Sequence, residues 1–178
     1  MATIAKHVKE NNPGTKVIFI GPCTAKKEEV LLDSVRPYVD SALTFEELQA
    51  LFDSRDINIT ELPETAMDDM ASYFGRIFAR CGGLAAAVQE ALKEQGITDF
   101  ELNAIVCDGL EECKDALHRK NRGRLEANFI EGMACVGGCI GGAGCLTHAA
   151  QSRMLVEKYG KDAGELSISE SAESTLQL

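Results

Sequence analysis

The stretch from Glu131 to Cys145 constrains this chain more than any other, because it sets three cysteines among closely spaced glycines. Cys135 and Cys139 are separated by only three residues. Thiolates are preferred ligands of iron and other soft metals, and glycines let the main chain approach and hydrogen-bond the sulfides of a cluster. The segment therefore predicts a wrapping around an inorganic cluster.

Size and charge restrict the class of protein. The chain has 178 residues, of which 45% are hydrophobic, and a formal net charge of -10. These values predict one globular domain and argue against nucleic-acid or membrane partners. No apolar run has the length of a membrane span or a signal peptide, and seven cysteines are an odd number for a disulfide framework. We expect a cytoplasmic protein with reduced or metal-bound thiols.

Short apolar segments alternate with helical patterns along the chain. This order predicts an α/β fold with a mostly parallel four-stranded sheet flanked by helices. Ligands of such sheets bind beyond the carboxyl ends of the strands, where Cys23 and Cys135 fall. The four predicted strands are 16–21, 40–44, 100–107 and 127–133.

The rest of the chain suggests its organisation. Residues 1–160 carry the strand and helix patterns and form the predicted folded lobe. Residues 55–70 predict a surface loop, and 161–178, which end in a segment rich in Ser and Glu, predict a flexible C-terminal tail.

Two alternatives to a cluster remain open on the residues alone. Glycine turns can merely tolerate small buried cysteines, which is the expected role of Cys81, Cys107 and Cys113. Zinc is the other alternative, although the usual two-residue spacing between ligands is absent. Its ligand set would be Cys135, Cys139, Cys145 and His148.

Two segments resemble one known family. Residues 21–29 resemble the second signature of iron-only ([FeFe]) hydrogenases, Pro-Cys-x-x-Lys-x-x-Glu. Residues 131–144 resemble the third, Glu-x-Met-Ala-Cys-x-x-Gly-Cys-x-x-Gly-x-Gly. The resemblance implies one lobe of the iron hydrogenase catalytic domain. It also implies the H-cluster, a four-iron cubane (4Fe-4S) joined through a cysteine sulfur to a two-iron unit that carries CO and cyanide.

Motif position implies a role for each matched residue. Cys23 and Cys135 resemble cubane ligands, and Cys139 resembles the bridging cysteine. Lys26 resembles the residue that hydrogen-bonds an iron-bound cyanide, and Glu29 resembles a supporting residue that does not touch iron. Met133 resembles a wall of the two-iron pocket. Phe78, four residues before Gly82-Gly83, resembles a second wall, a phenylalanine in a Phe-x-x-x-Gly-Gly turn of the family. Lys27 is expected to face water.

Departures from the family pattern limit what the chain should do alone. The first signature, Thr-Ser-Cys-Cys-Pro-x-Trp, is absent, and the chain has no tryptophan. We therefore expect the C-terminal part of a longer protein, truncated on its N-terminal side and inactive alone, and we do not expect it to require a bound cluster. Gly21 and the ending 144–146 differ from the usual family residues and suggest a divergent, regulatory branch.

The resemblance implies reversible conversion of two protons and two electrons into H2 by the parent protein, under anaerobic conditions. The alternative is an iron-sulfur redox or H2-sensing module with little turnover. The expected partners are the missing N-terminal half of the domain and either a ferredoxin-type electron donor or a signalling domain. An exposed lobe face would also favour a homo-oligomer.

Overall fold

The computed structural model describes residues 1–65, 71–164 and 167–176. The chain divides into two compact units. Unit 1 comprises Met1–Ala66 and Gly142–Thr147, and unit 2 comprises Met67–Gly141 and His148–Leu178. The backbone thus leaves unit 2 after Gly141, contributes six residues to unit 1, and returns.

Unit 1 is built on two short parallel strands. Its elements are α1 (Ala2–Asn11), β1 (Ile18–Ile20), α2 (Ala25–Glu29), β2 (Ser41–Leu43), α3 (Phe45–Asp53) and a 3-10 turn (Ile59–Glu61). Ile18 lies opposite Ser41 and Ile20 opposite Leu43. The buried core beside this pair is formed by Ala5, Val35 and Val39.

Hydrogen bonds between side chains and backbone amides fix the start of α3 in unit 1. Thr44 and Glu47 form a capping box, in which each side chain accepts a hydrogen bond from the other residue's amide. The side chain of Lys27, predicted to face water, is 41% exposed and also forms an ion pair. Its Nζ donates to both carboxylate oxygens of Glu47 at 2.7 Å and to the Ala42 carbonyl at 3.1 Å. This pairing joins α2 to β2 and α3.

Unit 2 contains the second parallel pair. Its elements are α4 (Tyr73–Arg76), α5 (Gly83–Glu94), β3 (Ala104–Asp108), α6 (Leu110–Asn121), β4 (Phe129–Met133), a 3-10 turn (Cys139–Gly141), α7 (Ser152–Lys161) and α8 (Ile168–Leu176). Ala104 lies opposite Phe129 and Asp108 opposite Met133. The core of this strand-helix-strand unit is formed by Cys107, Ala116, Leu125 and Ala127.

The predicted α/β class and the parallel direction of the strands are confirmed. All four predicted strands occur, and they pair two by two in separate two-stranded sheets. Apolar runs identify strands in a sequence, but the choice of neighbours depends on tertiary packing, which the runs do not encode.

A helix occupies part of the predicted C-terminal tail. Ile168–Leu176 forms α8, which packs against α5. The Glu94 carboxylate accepts hydrogen bonds from the Ile168 and Ser169 amides at 2.8 and 3.0 Å. A carboxylate at these amides satisfies donors that a helix start otherwise leaves without partners.

The predicted loop of residues 55–70 contains the 3-10 turn, and its last part, 66–70, lies outside the described residues. Among the helices that the described residues form, none combines the length and apolar character that a membrane crossing requires.

Candidate functional site

The two closely spaced cysteines lie on a tight loop that follows β4. We call residues 135–141 the cysteine loop. Gly137 and Gly138 both adopt φ of 86°, in the left-handed region that favours glycine. A Cβ on Gly138 would lie 2.5 Å from the Cys81 amide nitrogen, and a Cβ on Gly141 would lie 2.1 Å from the Val136 carbonyl oxygen. The loop therefore requires glycine at these positions.

Hydrogen bonds fix the backbone of the cysteine loop. The Gly138 amide donates to the Cys135 carbonyl at 3.0 Å, which closes a turn. The Gly137 amide donates to Asp108 Oδ1 at 2.6 Å, and the Gly137 carbonyl accepts from the Cys81 amide at 3.1 Å. The loop is thus anchored to the end of β3 and to the turn before α5.

The loop carries both predicted iron ligands of unit 2. Cys135 is half-buried and Cys139 is exposed. The loop turns so closely that it leaves no room for side chains at Gly138 and Gly141. Two thiols on such a loop suit a soft metal or a cluster with bulky sulfides. The residues present therefore fit an iron-sulfur group by their donor chemistry.

Neither the zinc ligands nor the three predicted iron ligands form an assembled group among the described residues. In the parts of the chain that the structure describes, no three His, Cys, Asp or Glu side chains form a group that could hold a metal ion. Cys145 is buried in unit 1, whereas His148 is exposed in unit 2.

Cys23 occupies the predicted junction in unit 1. It lies between β1 and α2 and is half-buried. The neighbouring Pro22 carbonyl accepts a hydrogen bond from the Gly144 amide at 3.1 Å. A Cβ on Gly144 would lie 2.7 Å from the Thr44 Cβ, so glycine permits this close approach. Unit 1 thus brings the end of the third signature into contact with the second.

Lys26 and Glu29 form an ion pair with each other one turn apart, and both side chains are about one third exposed. The sequence motif did not predict this pairing, although its spacing is the usual one for helix ion pairs. The pair places a hydrogen-bond donor and a compensating carboxylate on α2, beside the Cys23 segment.

The two predicted pocket walls both belong to unit 2. Met133 is the last residue of β4 and is half-buried, and its carbonyl accepts from the Gly109 amide at 2.8 Å. Phe78 lies between α4 and α5 and is 45% exposed. Cys23, Lys26 and Glu29 belong to unit 1.

Glu131 is a buried carboxylate whose role the sequence reasoning missed. Its side chain lies on β4, the residue is 1% exposed, and it accepts hydrogen bonds from the Gly82 and Ala85 amides at 2.7 Å each. Two sequence features could have identified this role of Glu131. One is an acidic residue in a buried strand, and the other is a glycine pair that opens a helix without a capping side chain.

A second polar network supports the turn before α5. Tyr73 Oη donates to Glu157 Oε1 at 2.5 Å, and Arg80 Nε donates to Glu157 Oε2 at 3.0 Å. These contacts join α7 to α4 and to Arg80, whose backbone forms an antiparallel bridge with Gly138. The bond to Glu157 raises the pKa of Tyr73, and the same bond lowers the pKa of Glu157.

Cys81 and Cys107 are buried, as predicted, while Cys113 is half-buried. Burial, followed by the nearby carboxylates of Asp108 and Glu131, raises the pKa of the Cys81 thiol to about 11. Burial also raises the pKa of Cys107. Metals bind the thiolate, so these two side chains are poor ligands.

Comparison with known proteins identifies the family. Residues 1–143 match the family described as iron only hydrogenase large subunit, C-terminal domain. The chain therefore belongs to the iron-only hydrogenase large-subunit family and corresponds to its C-terminal domain.

Two curated hydrogenases are similar in sequence. The NADP-reducing hydrogenase subunit HndD of Solidesulfovibrio fructosivorans is 28% identical, over 84% of this chain and 32% of that protein. The periplasmic [Fe] hydrogenase large subunit of Nitratidesulfovibrio vulgaris is 25% identical, over 79% of this chain and 41% of that protein. The chain thus spans about a third to two fifths of these relatives.

Solved [FeFe]-hydrogenases share the fold. A structure from a study of oxygen inactivation through damage to the H cluster has a TM-score of 0.65 at 19% identity, covering 97% of this chain and 59% of that chain. A variant of HydA1 from Chlamydomonas reinhardtii has a TM-score of 0.65 at 18% identity, covering 99% of this chain and 61% of that chain. The predicted hydrogenase-type α/β fold is confirmed.

Proposed function

We propose that this chain is the part of an [FeFe] hydrogenase catalytic domain that supplies three of the cysteine ligands of the H-cluster. By motif position, Cys23 and Cys135 would hold the four-iron cubane, and Cys139 would be the ligand shared with the two-iron unit. The observation that carries the proposal is the cysteine loop, in which two thiols stand on a backbone that admits no side chain at Gly138 or Gly141.

The bound cluster supplies the redox chemistry that interconverts protons, electrons and H2. The chain's own residues hold and surround it. Lys26 would donate a hydrogen bond to a cyanide of the cluster, and Glu29 would hold the Lys26 side chain through their ion pair. Met133 and Phe78 would exclude water from the two-iron unit. Three thiolates are one fewer than a cubane requires, so the chain alone is inactive and binds a cluster weakly.

The test compares the full-length parent protein, loaded with the H-cluster under anaerobic conditions, with cysteine variants of it. We call the loaded protein the matured parent protein. It should evolve or take up H2 and show infrared bands of CO and cyanide. Cys135→Ser and Cys139→Ser should each abolish H2 turnover and lower the iron content. Cys113→Ala, at a half-buried cysteine outside the two signatures, is the control and should retain both. Absence of turnover in the matured parent protein would remove the catalytic assignment.

A second candidate is an iron-sulfur redox or H2-sensing module with little turnover. Gly21 favours it, since this residue replaces a methionine often found before Pro-Cys in the family. A Cβ on Gly21 would lie 2.7 Å from the tip of the Phe19 ring, so a larger residue at this position requires that ring to move. Infrared bands of CO and cyanide without H2 turnover in the matured parent protein would support this candidate.

We propose the N-terminal half of the domain as the first partner, with a ferredoxin-type electron donor or a signalling domain as the second. Nucleic acid and membranes are not proposed as partners, because the net charge is -10. The seven cysteines are all thiols, which suits the reducing cytoplasm.

Exposed leucines such as Leu31 and Leu32, at 64% and 54%, favour self-association of the isolated chain. Sedimentation as a monodisperse monomer would contradict that part of the proposal.

A further inference from the structure

We propose that Asp108 is a positioning residue that holds the cysteine loop in its metal-binding conformation before any metal arrives. The proposal rests on the proposed function, because it assumes that Cys135 and Cys139 bind metal. It adds a residue outside both sequence signatures and gives that residue a defined action, which is to fix the Gly137 amide.

The acceptor itself is held in place. Asp108 ends β3, where it lies opposite Met133 in the parallel pair. Its amide donates to Glu112 Oε2 at 2.9 Å, in the first turn of α6. Its Oδ1 accepts a short hydrogen bond from the Gly137 amide at 2.6 Å. Asp108 therefore provides a fixed attachment point rather than a mobile surface group.

The bond acts where the loop has the greatest conformational freedom. Gly137 and Gly138 are consecutive glycines at positive φ, and glycine loses more backbone freedom on ordering than any other residue. Gly137 is held at both its polar groups, by Asp108 at the amide and by Cys81 at the carbonyl. Because the loop is ordered in advance, metal binding does not have to order it.

The same carboxylate disfavours a competing ligand. Cys81 lies beside the loop, and its thiol donates to the Cys107 carbonyl at 3.7 Å. Burial and the Asp108 and Glu131 carboxylates raise the pKa of Cys81, which disfavours the thiolate that a metal binds. Cys81 is also buried, whereas Cys135 is half-buried and Cys139 is exposed, so the two loop cysteines are the more accessible ligands.

Hydrogen exchange of the unliganded chain tests the first part of the proposal. Asp108→Ala should accelerate amide exchange in peptides that cover residues 135–141 by at least about tenfold, while peptides from β4 and α5 are unchanged. Asp108→Asn retains an oxygen acceptor and should change the rate by less than about fivefold. Asp115→Ala, which removes an exposed carboxylate on α6, is the matched control and should leave the loop unchanged.

Cadmium binding tests the second part, with Cd²⁺ alone as the probe and cadmium-thiolate absorption as the signal. Asp108→Ala should weaken Cd²⁺ binding about 10- to 100-fold relative to the unchanged chain, and Asp115→Ala should not. Cys135→Ser shows how much of the signal comes from the loop.

Three results would overturn the proposal. The first is that the loop amides of Asp108→Ala exchange no faster than those of Asp115→Ala. The second is that amide exchange in Asp108→Ala accelerates evenly throughout unit 2. The third is faster loop exchange with unchanged Cd²⁺ affinity, which would remove the role in metal binding. If the unchanged chain binds Cd²⁺ no better than Cys135→Ser, the proposed function fails instead, and the exchange rates alone decide the role of Asp108.

Discussion

The Glu131 carboxylate accepts a hydrogen bond from the Gly82 amide at 2.7 Å and thereby joins the strand before the cysteine loop to the start of α5. Its other oxygen accepts from Ala85. Gly82 is the N-cap of α5 and has no side chain, so Glu131 satisfies the helix amides from a distant strand.

Replacement of this carboxylate should destabilise unit 2. Glu131→Gln leaves one oxygen acceptor for two buried amides and turns an NH2 group toward a donor, so we expect a loss of about 1–3 kcal/mol in the free energy of unfolding. Urea denaturation followed by circular dichroism measures it. Glu126→Gln, at an exposed glutamate, is the control. Equal midpoints for the two variants would show that the buried bonds contribute nothing.

Gly138→Ala should disrupt the cysteine loop. The added Cβ would meet the Cys81 amide at 2.5 Å, and alanine also disfavours φ of 86°. Gly14→Ala is the matched control, since Gly14 has φ of 91° with open space around it. We expect Gly14→Ala to cost about 1–2 kcal/mol and Gly138→Ala clearly more. Equal changes in thermal stability would contradict the close contact.

The thiols should differ widely in reactivity. Cys139 is exposed, whereas Cys81 is buried with its pKa raised to about 11. At pH 8 about one Cys81 side chain in a thousand is then a thiolate, so alkylation should modify Cys139 first and Cys81 among the last. Peptide mass spectrometry measures the order, and denaturant should abolish the difference. Fast modification of Cys81 in the folded chain would refute its burial.

Asp40 should make unit 1 sensitive to acid. The Lys9 ammonium, the Val17 amide and Lys16 lower the pKa of this carboxyl. A native pKa below the unfolded value of about 3.9 stabilises the fold above that pH, and the effect is lost as the pH falls toward the native pKa. Asp40→Asn should therefore lower the melting temperature at pH 7.

The difference between Asp40→Asn and the unchanged chain should shrink below about pH 4. Asp33→Asn, at an exposed aspartate, is the control and should melt like the unchanged chain at both pH values. A difference that stays constant with pH would mean that the carboxylate charge is not involved.

Local patterns made much of the fold predictable. Apolar runs predicted all four strands, and the helical patterns between them predicted the alternation of strands and helices. The cysteine loop was visible in the sequence because its thiols and glycines are close neighbours along the chain. These features depend on short-range geometry, which one sequence records directly.

The polar contacts that hold the site were not predictable in the same way. Asp108 and Gly137 are 29 residues apart, Glu131 and Gly82 are 49 apart, and Glu94 and Ile168 are 74 apart. Each pairs a carboxylate with a backbone amide, and any amide can serve as the donor. Only the tertiary packing selects the partner, so residue type and spacing could not identify these pairs.

The six residues 142–147 of unit 1 have a consequence for how the chain is made. At translation rates of about 5–20 residues per second, the 75 residues of 67–141 need roughly 4–15 s to be synthesised. During that time Pro22 and Phe45 lack their hydrogen bonds to Gly144. Unit 1 cannot finish folding until residues 142–147 have been made, and no single cut of the gene separates the two units.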